Sequence, residues 1–142
     1  MGRLDGKIII VTGATSGIGR RTAEMFVKEG ARVVATGRRE EHGRTLEAKL
    51  GKDKCLFIRA DATQEADVKA MIDDCLAKWG RLDCLFNNAG GPSPVGGIET
   101  VPVEGFDAAM ATLVRSVMLG MKHAAPIMMK QGSGSIINNG SV

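Results

Sequence analysis

Short apolar runs alternate with longer helical segments along this chain of 142 residues. The first run, KIIIVTG, is β-branched and continuous, which is typical of a parallel strand covered on both faces. The runs between such strands carry apolar residues at helical spacing. The predicted strands are residues 7–13, 31–36, 54–61, 82–86 and 135–139, and the predicted helices are 17–29, 40–50, 63–79 and 103–130.

Five strands separated by four helices predict an α/β fold with a parallel, doubly wound, Rossmann-like sheet. Right-handed crossovers favour the strand order 3-2-1-4-5, with ligands bound where strands 1 and 4 diverge. Residues 1–142 are predicted to form one domain of this type. Within it, Thr63 is expected to cap the third helix, Gly30 and Gly80 to end the first and third, and Pro126 to kink the fourth.

Composition excludes several classes of protein. A net charge of +3 is too weak to indicate nucleic acid or a membrane surface, and no apolar run approaches the roughly 20 residues of a membrane span. The two histidines do not form a cluster with metal-ligand spacing. Three cysteines without a Cys-x-x-Cys pair or an export signal are expected to be reduced, buried thiols in a cytoplasmic protein.

The segment TGATSGIG, residues 12–19, joins the first strand to the first helix. Gly13 permits a tight turn, Gly17 lets the backbone approach a ligand, and Gly19 lets the helix pack closely on the strand. The helix N-terminus then offers free N–H groups to a pyrophosphate. A tight loop that binds nothing is the alternative, and the position between strand and helix favours dinucleotide binding.

A second motif, FNNAG, ends strand 4 across the same crevice. Its two asparagines can tie neighbouring strands together, and Ala89 and Gly90 are small enough for a ribose to lie against the backbone. Alone, the motif is typical of an ordinary Asn/Gly turn. Opposite the glycine loop, it indicates the other wall of a cofactor site.

These motifs, with an aspartate after strand 3 and a serine after strand 5, resemble the short-chain dehydrogenase/reductase family over essentially the whole chain. The resemblance implies that Asp61 binds the adenine amino group, that Asn87 holds the sheet, and that Ser141 bonds the substrate oxygen. Without it, Asp61 could be a helix N-cap and Ser141 a turn serine. The implied cofactor contacts are Gly13, Ser16, Gly17, Ile18, Gly19, Asp61, Ala62, Asn88, Ala89 and Gly90.

Cofactor choice depends on the end of strand 2. Family members that prefer NAD carry an aspartate where this chain has Gly37, so no carboxylate there repels a 2′-phosphate. Arg38 follows and can grip that phosphate with its planar guanidinium. The sequence therefore favours NADP over NAD. The alternative is a solvated Arg38–Arg39 pair that faces Glu40 and Glu41.

The long helix is apolar on more than one side. A surface helix shows a single apolar stripe, so a second face indicates either a partner subunit or burial under further chain. This helix is an oligomer interface in the resembling family, which favours a homo-oligomer through residues 103–130. The apolar residues are Phe106, Met110, Leu113, Val114, Val117, Met118 and Met121.

Two departures from the family pattern limit the expected activity. Leu113 stands where many members carry an asparagine that props the catalytic lysine through water. The family's general acid is a tyrosine four residues before that lysine, and this chain contains no tyrosine. The Tyr-x-x-x-Lys segment lies beyond the serine strand in the family, so we expect a chain cut after strand 5, with an open edge strand and no activity alone.

Two principal hypotheses follow. In the first, the chain is the N-terminal portion of an oxidoreductase that interconverts an alcohol and a ketone with NADP or, less favoured, NAD. In the second, motivated by Leu113 and the absent tyrosine, it is a non-catalytic dinucleotide-binding or interaction module. A nonfunctional truncation is a third reading.

Overall fold

Five parallel strands form one sheet in the computed structural model, which describes residues 2–141. Their order, β3-β2-β1-β4-β5, confirms the predicted doubly wound topology. The strands are β1 (Ile8–Val11), β2 (Arg32–Gly37), β3 (Cys55–Arg59), β4 (Cys84–Asn87) and β5 (Ser135–Asn138). The helices are α1 (Gly17–Lys28), α2 (Glu40–Leu50), α3 (Glu65–Trp79), α4 (Val103–Met110) and α5 (Ser116–Gln131).

The central strand β1 is buried on both faces, as its continuous apolar run predicts. Ile8 and Ile10 belong to the core under α3 and α5. Ile9 and Val11 alternate with them and belong to the core under α1 and α2. β1 pairs with β2 on one side and with β4 on the other, so it lies at the centre of the sheet and contributes residues to both cores.

The outer edge of β3 is covered by side chains of α2. Glu47, only 3% exposed, accepts a hydrogen bond of 2.7 Å from the backbone N–H of Phe57. Arg44 donates to the carbonyl oxygen of the same residue at 3.3 Å and also contacts Glu47. The two side chains thus satisfy backbone groups that an edge strand otherwise leaves open to pairing with another chain.

The opposite edge is β5, which pairs with β4 and is mostly exposed to solvent. Among residues 2–141 no further strand pairs with the outer edge of β5. Asn87 donates a hydrogen bond of 3.0 Å to the side chain of Asn138, so its predicted role in holding the sheet is confirmed.

The start of α3 differs from the prediction. Gln64, not Thr63, occupies the N-cap position. Thr63 instead donates its backbone N–H and its hydroxyl to the Asp61 carboxylate, at 2.9 and 2.7 Å. The prediction that Thr63 caps the helix was wrong, because the helix begins at Glu65 and Thr63 lies one residue before the N-cap position. Asp61 is not the N-cap either. Gly80 ends α3 in a left-handed conformation, as predicted.

The long fourth helix contains an irregularity that its sequence pattern does not indicate. A π-helical turn over Ala111–Arg115 separates α4 from α5. There the backbone N–H of Ser116 donates to the carbonyl oxygen of Ala111, and the Ser116 hydroxyl donates to the carbonyl oxygen of Thr112. The helix continues through Pro126, where a kink was predicted, to Gln131.

The apolar residues predicted on this helix lie mainly on its outer side. The buried residues of α5 are instead Ser116, Leu119, Gly120, Ala124 and Met128. The exposed large apolar side chains between Val103 and Gln131 are Val103, Phe106, Met110, Leu113, Val114, Met118, Met121 and Met129. The expected second apolar face is therefore present, and no chain among the described residues covers it.

All three cysteines are free thiols. Burial raises the pKa of Cys55 and of Cys75 to about 12, so both remain protonated at neutral pH. Cys84 is only half-buried, which departs from the expectation that all three are buried. Among residues 2–141 no helix is long and apolar enough to cross a membrane, and no group of acidic, His and Cys side chains could hold a metal ion.

We predict that Glu47→Ala lowers the free energy of unfolding by about 2 kcal/mol, because the Phe57 N–H loses its acceptor. Glu40→Ala is the matched control, since exposed Glu40 also pairs with Arg44 and its loss should change stability by less than about 1 kcal/mol. Urea denaturation measures both. Equal losses in the two variants would contradict a special role for the buried carboxylate.

Candidate functional site

A cleft of about 450 Å³ opens at the carboxyl ends of the central strands, where β1 and β4 diverge. This is the place at which the doubly wound topology predicts a ligand. The residues that line it come from the ends of all five strands and from the π-helical turn. They are Gly13, Thr15, Ser16, Gly17, Ile18, Thr36, Gly37, Arg38, Arg39, Ala60, Asp61, Ala62, Thr63, Asn88, Ala89, Gly90, Thr112 and Asn139.

The glycine loop requires its three glycines for different reasons. Gly13 has φ +62°, and a Cβ there would lie 2.9 Å from the Cα of Ala89. Gly17 has φ +56° but faces open space, so a ligand can approach its backbone. A Cβ at Gly19 would collide with the carbonyl oxygen of Gly13. Gly19 therefore supports the loop from behind rather than lining the cleft.

The N-terminus of α1 is directed at this loop and carries no local anion. Ser16 is the N-cap, and within residues 2–141 its side chain makes no capping bond to the first turn. No acidic side chain stands in that turn. The first backbone N–H groups and the positive end of the helix dipole are therefore available to an anionic group.

Thr12, at the end of β1, joins the two walls of the cleft. Its Oγ1 accepts backbone N–H bonds from Asn88 at 3.0 Å and Ala89 at 2.9 Å, and lies 3.4 Å from the carbonyl oxygen of Phe86, to which it donates. Thr12 itself is 3% exposed. Its hydroxyl uses both its donor and its acceptor capacity to hold the backbone after β4 against the glycine loop.

The side chain of Asn88 extends this connection in both directions. Its Nδ2 lies 3.3 Å from the carbonyl oxygen of Thr12 and 3.4 Å from that of Gly13. Its Oδ1 accepts a hydrogen bond of 2.8 Å from Asn139, just beyond β5. A single amide thus spans the carboxyl ends of β1, β4 and β5.

The end of β2 presents positive charge to the cleft. A Cβ at Gly37 would lie 2.5 Å from Cγ2 of Thr15, so the loop leaves no room for a larger side chain there. Arg39 donates to Thr15 Oγ1 at 3.1 Å, whereas Arg38 lines the cleft as an exposed side chain. Glu40 pairs with Arg44 at 3.1 Å, which leaves the two arginines to face the cleft.

Asp61 is the acidic residue of the site, and it is ionised. Burial alone would raise the pKa of its carboxyl, but the hydrogen bonds from Thr63 and the charges of Arg38 and Arg59 outweigh it. The net result is a pKa below the usual range for aspartate. The backbone N–H of Asp61 donates a hydrogen bond of 2.8 Å to the side-chain carboxylate of Asp67.

The cleft brings together all of the predicted cofactor contacts except Gly19, which lies behind the loop. Ser141 is exposed and follows Asn139 on the same strand end, outside the described cleft wall. Sequence reasoning missed Thr15, Arg39, Thr112 and Asn139. Asn139 had a detectable signal, because it follows strand 5 as Asn88 follows strand 4, whereas nothing in the sequence pattern indicated the π-helical turn that carries Thr112.

Comparison with known proteins places these motifs in a family. The sequence model described as short chain dehydrogenase matches residues 7–142. Short-chain dehydrogenase reductase 5 of Arabidopsis thaliana is 43% identical over 141 residues, covering 99% of this chain and 54% of the relative. Momilactone A synthase of Oryza sativa subsp. japonica is 42% identical over 142 residues, covering 99% and 52%. The chain thus spans about half the length of these curated relatives.

Two solved structures share the fold. The 3-ketoacyl-(acyl-carrier-protein) reductase from Brucella melitensis, complexed with NADH, superposes with a TM-score of 0.86 at 36% identity, covering 91% of this chain and 53% of that one. Levodione reductase gives a TM-score of 0.89 at 31% identity, covering 94% and 54%.

We predict that the Asp61 carboxylate stabilises the folded chain above about pH 4 and that this contribution is lost on acidification. A folded-state pKa below the unfolded value of about 3.9 gives stability that disappears as protons bind. Wild type should therefore exceed Asp61→Asn in thermal stability at pH 7, and the gap should narrow towards pH 3. Asp73→Asn, on the exposed side of α3, controls for net charge. A gap that stays constant with pH would contradict the assignment.

Proposed function

Since this chain belongs to the short-chain dehydrogenase family, we propose that residues 1–142 form the dinucleotide-binding domain of an oxidoreductase that acts on an alcohol or ketone. The observation that carries the proposal is the cleft between the glycine loop and Asn88–Gly90. It lies at the divergence of β1 and β4 and combines an uncapped helix N-terminus with two arginines and a carboxylate. These groups match the parts of a nicotinamide dinucleotide.

The pyrophosphate fits the glycine loop. The open space at Gly17 and the free N–H groups of the first turn of α1 suit an anion without a side chain in the way. The adenosine would then lie between β2 and β3, where the Asp61 carboxylate can accept from the adenine amino group. Ser16, Ile18 and Ala62 would supply the remaining contacts on this side.

The ribose next to the nicotinamide fits the opposite wall. Ala89 and Gly90 leave the backbone accessible there, and Thr12 holds that backbone in place. The Asn88 side chain is already committed to the glycine loop and to Asn139, so it would shape the wall rather than turn towards a ligand.

We propose NADP rather than NAD as the preferred cofactor. Thr15 closes the space beside Gly37 against a carboxylate, and Arg38 offers a guanidinium to a 2′-phosphate. The bound NADH in the Brucella melitensis reductase belongs to a protein that is 36% identical to this chain. The arginines of this chain are the reason to favour the phosphorylated form.

The nicotinamide ring supplies or accepts the hydride when it is bound. On the protein side, Ser141 would hydrogen-bond the substrate oxygen and orient it for proton transfer. The 142 residues include no tyrosine, so they do not hold the general acid that the resembling family uses. We therefore propose that these residues alone bind the cofactor without turning over an alcohol.

A non-catalytic binding module is the second candidate function, and Leu113 is the observation that favours it. Leu113 is 44% exposed, and its side chain lies near Gly90, which lines the cleft. Its side chain cannot donate or accept a hydrogen bond, unlike the asparagine expected there. Such a module would bind the dinucleotide but would not oxidise an alcohol, even within a longer chain.

We also propose that the exposed stripe of α4 and α5 joins two copies of the chain. Phe106, Met110, Val114, Met118 and Met121 recur every three or four residues, so they form one continuous face. Large apolar stripes of this kind mark protein interfaces. A second copy offers the same stripe, which suits a symmetric contact.

The state of the thiols supports a proposal for the compartment. All three cysteines are free, and two are buried with raised pKa values. Free thiols are typical of a reducing compartment. We therefore propose that the protein is cytoplasmic.

We predict that the chain binds NADPH more tightly than NADH and that Arg38→Ser removes the preference. Loss of a charge-assisted bond to the 2′-phosphate should weaken NADPH binding about ten- to a hundred-fold and leave NADH nearly unchanged. Arg21→Ser, on the exposed face of α1, is the control. Calorimetric titration measures each Kd. Wild-type chain that binds neither dinucleotide would overturn the proposed function, and equal weakening of both would overturn only the role of Arg38.

We predict that wild-type chain sediments as a dimer or larger species and that Met118→Lys shifts it towards monomer. A buried charge without a partner disfavours the contact. Met25→Lys is the matched control, since Met25 on α1 is 46% exposed against 47% for Met118. Sedimentation velocity over a range of protein concentrations measures the oligomeric state of the wild-type chain and of both variants. A wild-type monomer at all concentrations would refute the interface.

A further inference from the structure

We propose that Asn139 is a positioning residue of the cofactor site, which holds Asn88 in the one amide orientation that supports the glycine loop. The inference rests on the proposed function of the cleft. It concerns a residue beyond the predicted motif positions, and its role is carried through Asn88 rather than through direct contact with a ligand.

The geometry points to this role through one relay of hydrogen bonds. Asn139 Nδ2 donates to Asn88 Oδ1 at 2.8 Å. Asn88 Nδ2 then donates towards the carbonyl oxygens of Thr12 at 3.3 Å and Gly13 at 3.4 Å. The carbonyl of Gly13 lies against Gly19, so the far end of the relay is the turn that begins α1.

The two ends of a carboxamide are chemically different, which makes the relay directional. If the Asn88 amide turned over, its oxygen would face two carbonyl oxygens and its NH₂ would face that of Asn139. Both contacts would then be repulsive. The donor supplied by Asn139 and the two carbonyl oxygens therefore favour the same orientation of Asn88, and the bond from Asn139 supports contacts to the glycine loop that are long on their own.

The neighbouring asparagine makes a separate pair, which distinguishes the two positions. Asn138 accepts from Asn87 at 3.0 Å and contacts Met121, away from the glycine loop. Asn139 lines the cleft, and its backbone N–H bonds the carbonyl oxygen of Asn87 at 3.0 Å. The backbone hydrogen bond to Asn87 thus fixes the position of Asn139. The side chain of Asn139 takes no part in that bond and reaches Asn88.

The relay also joins the strand that carries Ser141 to the loop that would hold the pyrophosphate. Ser141 follows Asn139 by two residues. A change at position 139 should therefore alter cofactor affinity even though the glycine loop and Arg38 are intact.

The test compares NADPH affinity of the 142-residue chain and its variants by calorimetry. Asn139→Ala removes the donor and should weaken binding about three- to ten-fold. Asn139→Asp keeps the size but places an ionised acceptor opposite Asn88 Oδ1, and should weaken binding at least as much at pH 7. Lowering the pH towards about 4 protonates the N139D carboxyl, which can then donate, so the ratio of its Kd to that of wild type should fall.

Asn138→Ala is the matched control, because it deletes the adjacent amide pair without touching Asn88. It should lower thermal stability and leave NADPH affinity within about two-fold. If Asn139→Ala binds as tightly as Asn138→Ala, or if the N139D ratio does not change with pH, Asn139 is not a positioning residue. Wild-type chain that does not bind NADPH at all overturns the proposed function instead, and this inference with it.

A measurement on the wild-type chain covers the case in which the variants do not fold. The side-chain Nδ2 protons of Asn139 should exchange with water markedly more slowly than those of an exposed asparagine in a peptide. Exchange as fast as in the peptide would show that the bond to Asn88 is absent and would refute the proposal.

Discussion

β1 is hydrogen-bonded on one side to β2 and on the other to β4. From β1 the chain continues to β2 on one side, and from β4 it continues to β5 on the other side. A parallel sheet built in this way has to open at the carboxyl ends of β1 and β4. The buried hydroxyl of Thr12 then holds the two departing segments at a fixed separation through bonds to Asn88 and Ala89. The cleft, the glycine loop and the orientation of α1 all depend on this junction.

The fold could be predicted because its signals are periodic and strong. Continuous apolar runs such as Ile8–Val11 fit strands buried on both faces, and Gly80 marks a helix end by its conformation. Thr63 and the π-helical turn could not be predicted in the same way. Both depend on local hydrogen bonding that hydrophobic periodicity does not encode, such as the bond from the Thr63 hydroxyl to the Asp61 carboxylate. Glu47 was missed because a buried carboxylate looks like any surface glutamate on a charged helix.

The candidate site was predictable where backbone geometry dictates the residue. Gly13 and Gly17 have positive φ, and Gly37 faces Thr15 without room for a larger side chain, so these positions tolerate little change. The side chains that complete the site are less constrained locally. Arg39 reaches Thr15 and Asn139 reaches Asn88 across separations of 24 and 51 residues. Such long-range pairs follow from strand order, and they become visible only when the sheet is assembled.

The central claim is that the cleft between the glycine loop and the end of β4 binds NADP. Adding NADP to ¹⁵N-labelled chain and mapping the backbone amide shifts tests it most directly. The account predicts large shifts at Gly17, Ile18, Asp61 and Asn88–Gly90, with the β3 edge at Phe57 unchanged. Shifts confined to other surfaces, or none at saturating NADP, would contradict it.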